Sequence, residues 1–585
     1  MFMNKKYLSA SVSIRGSFIS ALLFRRDFGF IDYHFSIWFD SVSCVCDRMS
    51  PEGDRWMRIP VCDMKHHNKK PKQEVRTFSA EKFFPLILVL ITSMLFMIKV
   101  VGPSNLLDND QERPAAYTLD VTVNHHWVCQ TDQTGDITSK PPLYTWLAAI
   151  STLTLGKGKI SLVTLYLPCF LSILGCAFLI YLLGRPVLGW QTSAFGAMVL
   201  VISPMGMKMV ALARTDPLFA FTITLTAVLG YNAWSKGKGW TWFWLAAALS
   251  ALTKGPLGLL LASGGFLSYF WNKKTQLEQP RIKISWRWLL GIILFLIPTL
   301  GWFLLAYHVE GEALINKMIK SELVGHAVSS HYGIPGQGFV LAPLYLISRF
   351  LPWSLLGLAE CVLIFRKPAA DPKERRLERF LLVWIIAGAV ILGMGTHQRG
   401  DLILPLVPPL SLLAGRFILR WLPVKLKENP VYFLRTVGFT GALGLALVMA
   451  YNQCIFSRQK VTYRTKAVEK IACNIIEAKY DLTQLHHYKT PFALQFFLNT
   501  MTLETLPEEV APLMRSDKPC LLSVRNLEEF EKLLGEDPPS YRIAYRWYLD
   551  DEPIMYLIAN DASARNVSSL TSYTRRFKSS TIHTE

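Results

Sequence analysis

The sequence predicts an all-α polytopic membrane protein of about eleven to thirteen transmembrane helices, followed by a small C-terminal α/β soluble domain. Three observations carry that reading. Of 585 residues, 51% are hydrophobic and only 18% charged, with mean hydropathy +0.27. That is too apolar for a soluble chain with ordinary patterning. Long stretches poor in charge recur between residues 83 and 456 and end there, as spans in a bilayer require. Ten cysteines in this length are too sparse for a disulfide scaffold.

Residues 1–82 read as an N-terminal cytoplasmic segment. The patch Ser17 to Phe24 is too short for a span and has no small-residue cleavage site. Met64 is followed by Lys65, Lys69 and Lys70 just ahead of the first apolar run, so translation is expected to start there and residues 1–63 to lie upstream of the true start. Spans are expected at Phe83–Val101, Ile160–Leu183, Gln191–Leu212, Leu218–Trp234, Trp240–Leu252, Pro256–Trp271, Trp288–Tyr307, Leu351–Phe365, Leu381–Met394, Leu402–Leu413 and Val437–Ile455. Between the first two lie an amphipathic piece near Ala115–Val123 and an apolar stretch from Lys140 to Gly156. The latter is too short to cross and is expected to lie at the membrane face.

The net charge of +19 raises nucleic acid as a partner, and the distribution argues against it. With the N-terminus inside, the inner loops hold nineteen Lys and Arg against ten in the longer outer loops, the bias of the positive-inside rule. The tail is then placed outside. Residues 457–561 alternate helix-like pieces (Lys466–Lys479, Leu527–Leu534) with strand-like ones (Cys520–Arg525, Ile554–Ile558), hence a periplasmic α/β domain. Cys473 and Cys520 either pair there or stay free. From Ala562 to residue 585 the chain is Ser/Thr-rich and basic and is expected to be disordered.

Ionisable groups at span edges are costly without a partner or a task. Five clusters stand out: Asp108 to Arg113, Ser139 to Pro142, Arg214 to Pro217, Thr253 to Pro256, and His397 to Asp401. The topology puts all five outside, which points to one outward-facing polar site. It offers carboxylates, Asp110 and Asp216, beside cations, Arg113, Lys140, Lys254 and Arg399. Cations converging at a membrane surface suit a lipid phosphate, and a carboxylate beside that phosphate suits a general base. Other readings stand beside this one. Asp110 alone reads as a helix cap, Lys140 as an interfacial anchor near Tyr144 and Trp146, and Arg214 and Asp216 as each other's partner. Lys254-Gly255-Pro256 also reads as a turn. His308, His326 and His331 have no usual metal-ligand spacing, and Glu360 reads as a buried hydrogen-bonding group.

Taken in order, these clusters resemble the motifs of ArnT-like and protein O-mannosyltransferase-like glycosyltransferases of the GT-C superfamily. An Asp-Glu-x-Arg opening corresponds to Asp110-Gln111-Glu112-Arg113, with Trp127 seventeen residues after Asp110. Lys-Pro-Pro-Leu-x-x-Trp runs from Lys140 to Trp146. Ala-Arg-x-Asp-Pro-Leu appears as Ala213 to Leu218, and Leu-x-Lys-Gly-Pro-Leu as Leu252 to Leu257. Leu351-Pro352-Trp353 and the stretch Arg399 to Leu413 complete the set. Three departures matter. Gln111 replaces a second acidic residue and leaves Asp110 as the sole candidate base of that pair. Ser139 stands where aminoarabinose transferases carry Glu, which argues against a divalent metal there. Arg399 replaces a Lys, and Leu402 stands near the usual Tyr.

The resemblance implies that residues 83–456 form a GT-C transmembrane domain that moves a sugar from a polyprenyl (undecaprenyl) phosphate donor to an acceptor on the periplasmic face of a bacterial inner membrane, with inversion. The leading acceptor is a lipid A-like glycolipid, receiving a 4-amino-4-deoxy-L-arabinose-like sugar; a protein or another glycan follows, and a lipid-linked sugar flippase is the rival of another class. By the same resemblance Asp110 is catalytic. Arg113, Lys140 and Arg399 bind the donor phosphate, and Arg214, Asp216 and Lys254 support the cavity. No metal or other cofactor and no nucleic acid is expected.

Overall fold

The computed structural model describes residues 80–104, 106, 109–280, 286–325, 334, 336–566 and 573–577. The expected start at Met64 and everything ahead of Ala80 fall outside these residues, as do Asp108, His326 and His331. Each of the eleven expected spans coincides with a helix or a short run of helices. Among the described residues, five helices are long and apolar enough to cross a membrane: Ala80–Val101, Leu162–Leu188, Asp216–Lys236, Trp286–Glu310 and Pro430–Arg458. A sixth is added if Gly338–Arg349 and Trp353–Arg366, bent by 116° at their junction, form one broken span. The first member of that pair lies in what reads as an outer loop. Its apolar run was hidden by Pro343 and by the Arg349 to Pro352 break.

Local rules explain where the helices start and stop. Ser161 caps Leu162–Leu188, its side chain accepting from the Thr164 N–H while Thr164 returns the bond. Pro217 sits in the first turn of Asp216–Lys236, and Gly237, at φ +69°, ends it in the left-handed conformation open to glycine. The helices Trp190–Ile202 and Val407–Trp421 meet backbone to backbone at Gly196 and Gly415. A Cβ on Gly415 would lie 2.7 Å from the Gly196 Cα. Small residues are what let helices approach this closely where lipid gives no hydrophobic drive.

The tail carries a five-stranded mixed sheet of order β1-β2-β4-β3-β5, with β1 Leu485–Tyr488, β2 Leu521–Val524, β3 Tyr541–Leu549, β4 Glu552–Asn560 and β5 Tyr573–Phe577. The expected strands and both expected helices are present, one as Lys460–Glu477 and the other as Leu527–Leu534. The segment expected to be disordered from Ala562 contains the end of the helix Asp561–Asn566 and strand β5, which pairs in parallel with β3. Backbone pairing against a sheet edge supplies order that composition does not show. Cys473 and Cys520 are not disulfide-bonded to each other. The tail docks on the membrane part: Asn499 Oδ1 accepts from the Ile160 N–H at 2.9 Å, and the Glu504 N–H donates to Gln133 O at 2.7 Å.

Candidate functional site

The helix Asn109–Asn124 presents Asp110 in its first turn. Its register is fixed by the next residue. Gln111 is buried, and its Oε1 accepts from the Ala213 N–H at 3.3 Å and from the Tyr166 hydroxyl at 3.4 Å. The residue that departs from the family pattern thus ties this helix to the turn bearing Arg214. Farther along, two indoles hold the loop. Trp146 Nε1 donates to Trp127 O at 2.7 Å, and Trp302 Nε1 donates to Val128 O at 3.1 Å.

Asp110 accepts from Arg214 and from Arg399, each at 2.8 Å. Arg214 also donates to Asp401 at 2.5 Å, and Lys208 reaches both Asp401 oxygens at 2.7 Å. Asp216 pairs with Lys254, whose ammonium sits 5.6 Å from the Phe219 ring centre. Arg214 and Asp216 therefore each take a partner from another cluster rather than each other. Lys140 joins through its field, acting on Asp110 and feeling Lys254, Asp216 and Glu322. Among the described residues its ammonium has no hydrogen-bond or ion-pair partner. All five clusters are thus gathered. Arg113 is the exception: its guanidinium lies 3.8 Å from Asp132 and is half exposed.

The electrostatics follow from this crowding. Burial pushes the Asp110 carboxyl upward, but the hydrogen bond from Arg399 and the charges of Arg214, Arg399 and Lys140 outweigh it and hold it below the usual carboxylate range. Protein packed round Lys140, then repulsion from Lys254, lowers its ammonium, although the residue as a whole is exposed; Asp216, Glu322 and Asp110 pull the other way. Two members had no assigned role in the sequence reading, Asp401 and Lys208. Asp401 was inside a recognised cluster. Lys208 fell inside an expected span, and a lysine within an apolar run was itself the signal.

A bundle of apolar helices thus carries a charged site where several of them begin or end, beside a small sheet domain. The comparisons bear this out at the level of the fold. Residues 139–303 match the family model for dolichyl-phosphate-mannose-protein mannosyltransferase. Crystal structures of ArnT from Cupriavidus metallidurans, bound to undecaprenyl phosphate and in the apo state, superpose with TM-scores of 0.64 and 0.62 at 16% identity. They cover 84% and 83% of this chain and 99% of theirs. An uncharacterized protein of Aquifex aeolicus (strain VF5) is 26% identical over 324 residues, 54% of this chain and 60% of its own length. A second from the same organism is 23% identical over 345 residues, 57% and 73%. The chain has the GT-C fold of ArnT.

Proposed function

We propose that this chain is an inverting integral-membrane glycosyltransferase. It takes a sugar from a polyprenyl phosphate, undecaprenyl phosphate foremost, and passes it to an acceptor at the periplasmic face of a bacterial inner membrane. The observation that carries the proposal is the convergence on one carboxylate, Asp110, of cations from three separate parts of the chain, Arg214, Arg399 and Lys140. The fold shared with ArnT, one structure of which holds undecaprenyl phosphate, supports the donor class.

Asp110 is the catalytic carboxylate of this reading. An acceptor hydroxyl attacks the anomeric carbon from the face opposite the phosphate, the bond from that carbon to the phosphate oxygen breaks, and the hydroxyl proton passes to Asp110. The electron pair leaves on the polyprenyl phosphate. Lys140 and Arg399 stabilise the charge growing there, as preorganised cations do. Lys254 and Asp216 hold each other and set the field behind Lys140. A lipid A-like glycolipid receiving an aminoarabinose-type sugar is the leading acceptor, ahead of a protein or another glycan. Purified protein given labelled polyprenyl-phosphate sugar and candidate acceptors tests this. Transfer of label to an acceptor is the expected result; label moved across the bilayer with its glycosidic bond intact would make the protein a flippase instead.

A further inference from the structure

The groups around Asp110 form an alternating row: Lys208, Asp401, Arg214, Asp110, Arg399. Consecutive members are joined at 2.7, 2.5, 2.8 and 2.8 Å. Within this row three cations alternate with two carboxylates. The row is unevenly covered. Arg214, in its middle, has a side chain only 11% exposed, while Lys208 and Arg399, at its ends, are 47% and 51% exposed. An anion arriving from solvent or from the membrane surface therefore meets the two ends first.

The ends are also the members that can leave. If Lys208 releases Asp401, that carboxylate keeps Arg214 at 2.5 Å; if Arg399 releases Asp110, that one keeps Arg214 at 2.8 Å. Neither aspartate loses its last cation, and half-exposed ion pairs of this kind are worth little in themselves. Lys208 is held in place by a short helix, Pro204–Met209, capped by Ser203, whose hydroxyl accepts from the Gly206 N–H at 3.0 Å. Its stem is fixed and its head is available.

We infer that Lys208 is a donor-phosphate-binding residue, engaged by ion-pair exchange: the phosphate takes Lys208 from Asp401 and Arg399 from Asp110, while Arg214 keeps both carboxylates paired. The inference rests on the polyprenyl-phosphate reaction proposed above. It gives Asp401 a definite part as the resting counter-ion of the arriving phosphate's ligand.

The test uses the full-length protein in nanodiscs of zwitterionic lipid, with undecaprenyl phosphate as the probe and binding read at several KCl concentrations. Lys208→Met should weaken binding about tenfold to a hundredfold, the range of a lost charge-assisted hydrogen bond, and flatten its salt dependence. Lys208→Arg should restore most of it. Asp401→Asn should leave binding unchanged or tighten it, because the competing carboxylate charge is gone. If Lys208 served only to fix Asp401, Lys208→Met and Asp401→Asn would weaken binding together, and that result overturns the inference. Equal binding by wild type and Lys208→Met overturns it as well and leaves the proposed reaction standing. A wild-type protein that binds no undecaprenyl phosphate sinks both.

Discussion

Two charge networks flank the helix Val407–Trp421, and they are built on opposite plans. One lies ahead of its first residue and contains Asp110, Arg214, Arg399 and Asp401. The other begins nine residues in, roughly 14 Å along the axis at 1.5 Å per residue, where Arg416 sits between Glu374 at 2.6 Å, Glu378 and Glu360 at 3.4 Å, and Arg420 grips both oxygens of Glu360. Glu360 and Glu378 have fully buried side chains, and carboxylates outnumber cations three to two. Glu378 also accepts from the Ala369 N–H at 3.1 Å, fastening the turn before its own helix. Every carboxylate in this second network holds an arginine. The first network has half-exposed cations at its ends and, in Lys140, an ammonium with no hydrogen-bond or ion-pair partner among the described residues. A buried set of ion pairs fixes helix geometry; a set with exposed cations at its ends is open to an arriving anion.

That contrast is broken or sharpened by substitution at each site. Asp110→Asn should lower sugar transfer by about 10²–10⁴-fold, the usual worth of a positioned general base, with expression held and only a small fall in thermal midpoint, because its ion pairs are partly exposed. Turnover and a melting curve on one preparation check both halves. Glu378→Ala should do the reverse. It takes one of three carboxylates from Arg416 and the acceptor from the Ala369 N–H, a loss of about 1–3 kcal/mol, so yield and thermal midpoint fall while turnover per folded molecule holds. A Glu378→Ala protein that melts normally but transfers poorly would dissolve the distinction.

Most of the first network was legible in the sequence, and the reasons are physical. A charge at the edge of an apolar span is expensive, so Asp110, Lys140, Arg214, Lys254 and Arg399 announce themselves by being there at all. What pairs with what was not legible. Arg214 and Asp216, two residues apart, look like mutual partners, yet helix Asp216–Lys236 begins between them and sends Asp216 to Lys254 and Arg214 to Asp110. Of the broken pair, Trp353–Arg366 falls within the expected span Leu351–Phe365, whereas Gly338–Arg349 escaped because its apolar run is too short to read as a span. Strand β5 escaped because its pairing with β3 crosses the sheet edge rather than following an apolar alternation in its own sequence.

The openness of the first network should also appear in the pH dependence. Burial raises the Asp110 carboxyl, while the Arg399 hydrogen bond and the neighbouring cations lower it by more. A base of this kind is active when ionised, so wild-type kcat/KM should lose activity only as pH falls below the ordinary carboxylate value of about 4. Arg399→Met removes one of the lowering groups and should move that acid limb upward. The linkage to stability has the same sign. A depressed carboxyl contributes fully above its unfolded value and loses that contribution as pH falls through its folded one, so the variant should also begin to lose stability at a higher pH. An acid limb that does not move would mean that the Arg399 pair does not set the Asp110 carboxyl in the free enzyme, which is the state kcat/KM reports.

The smallest effect is expected where the resemblance and the geometry disagree. By resemblance Arg113 binds the donor phosphate; in the structure it is half exposed and turned to Asp132 at 3.8 Å. Asp132 does not depend on it, because Oδ1 already accepts from the Thr134 N–H, the Thr134 hydroxyl and the Asp136 N–H at 3.0, 2.6 and 3.1 Å. An exposed pair of this sort is worth about 0.2–1 kcal/mol, so Arg113→Ala should change donor KM by no more than about fivefold and leave the thermal midpoint where it was. Arg399→Met in the same assay should raise KM well beyond that. Equal losses from the two variants would mean that Arg113 leaves Asp132 when the donor arrives, adding a third movable cation to the pair that the resting geometry already exposes.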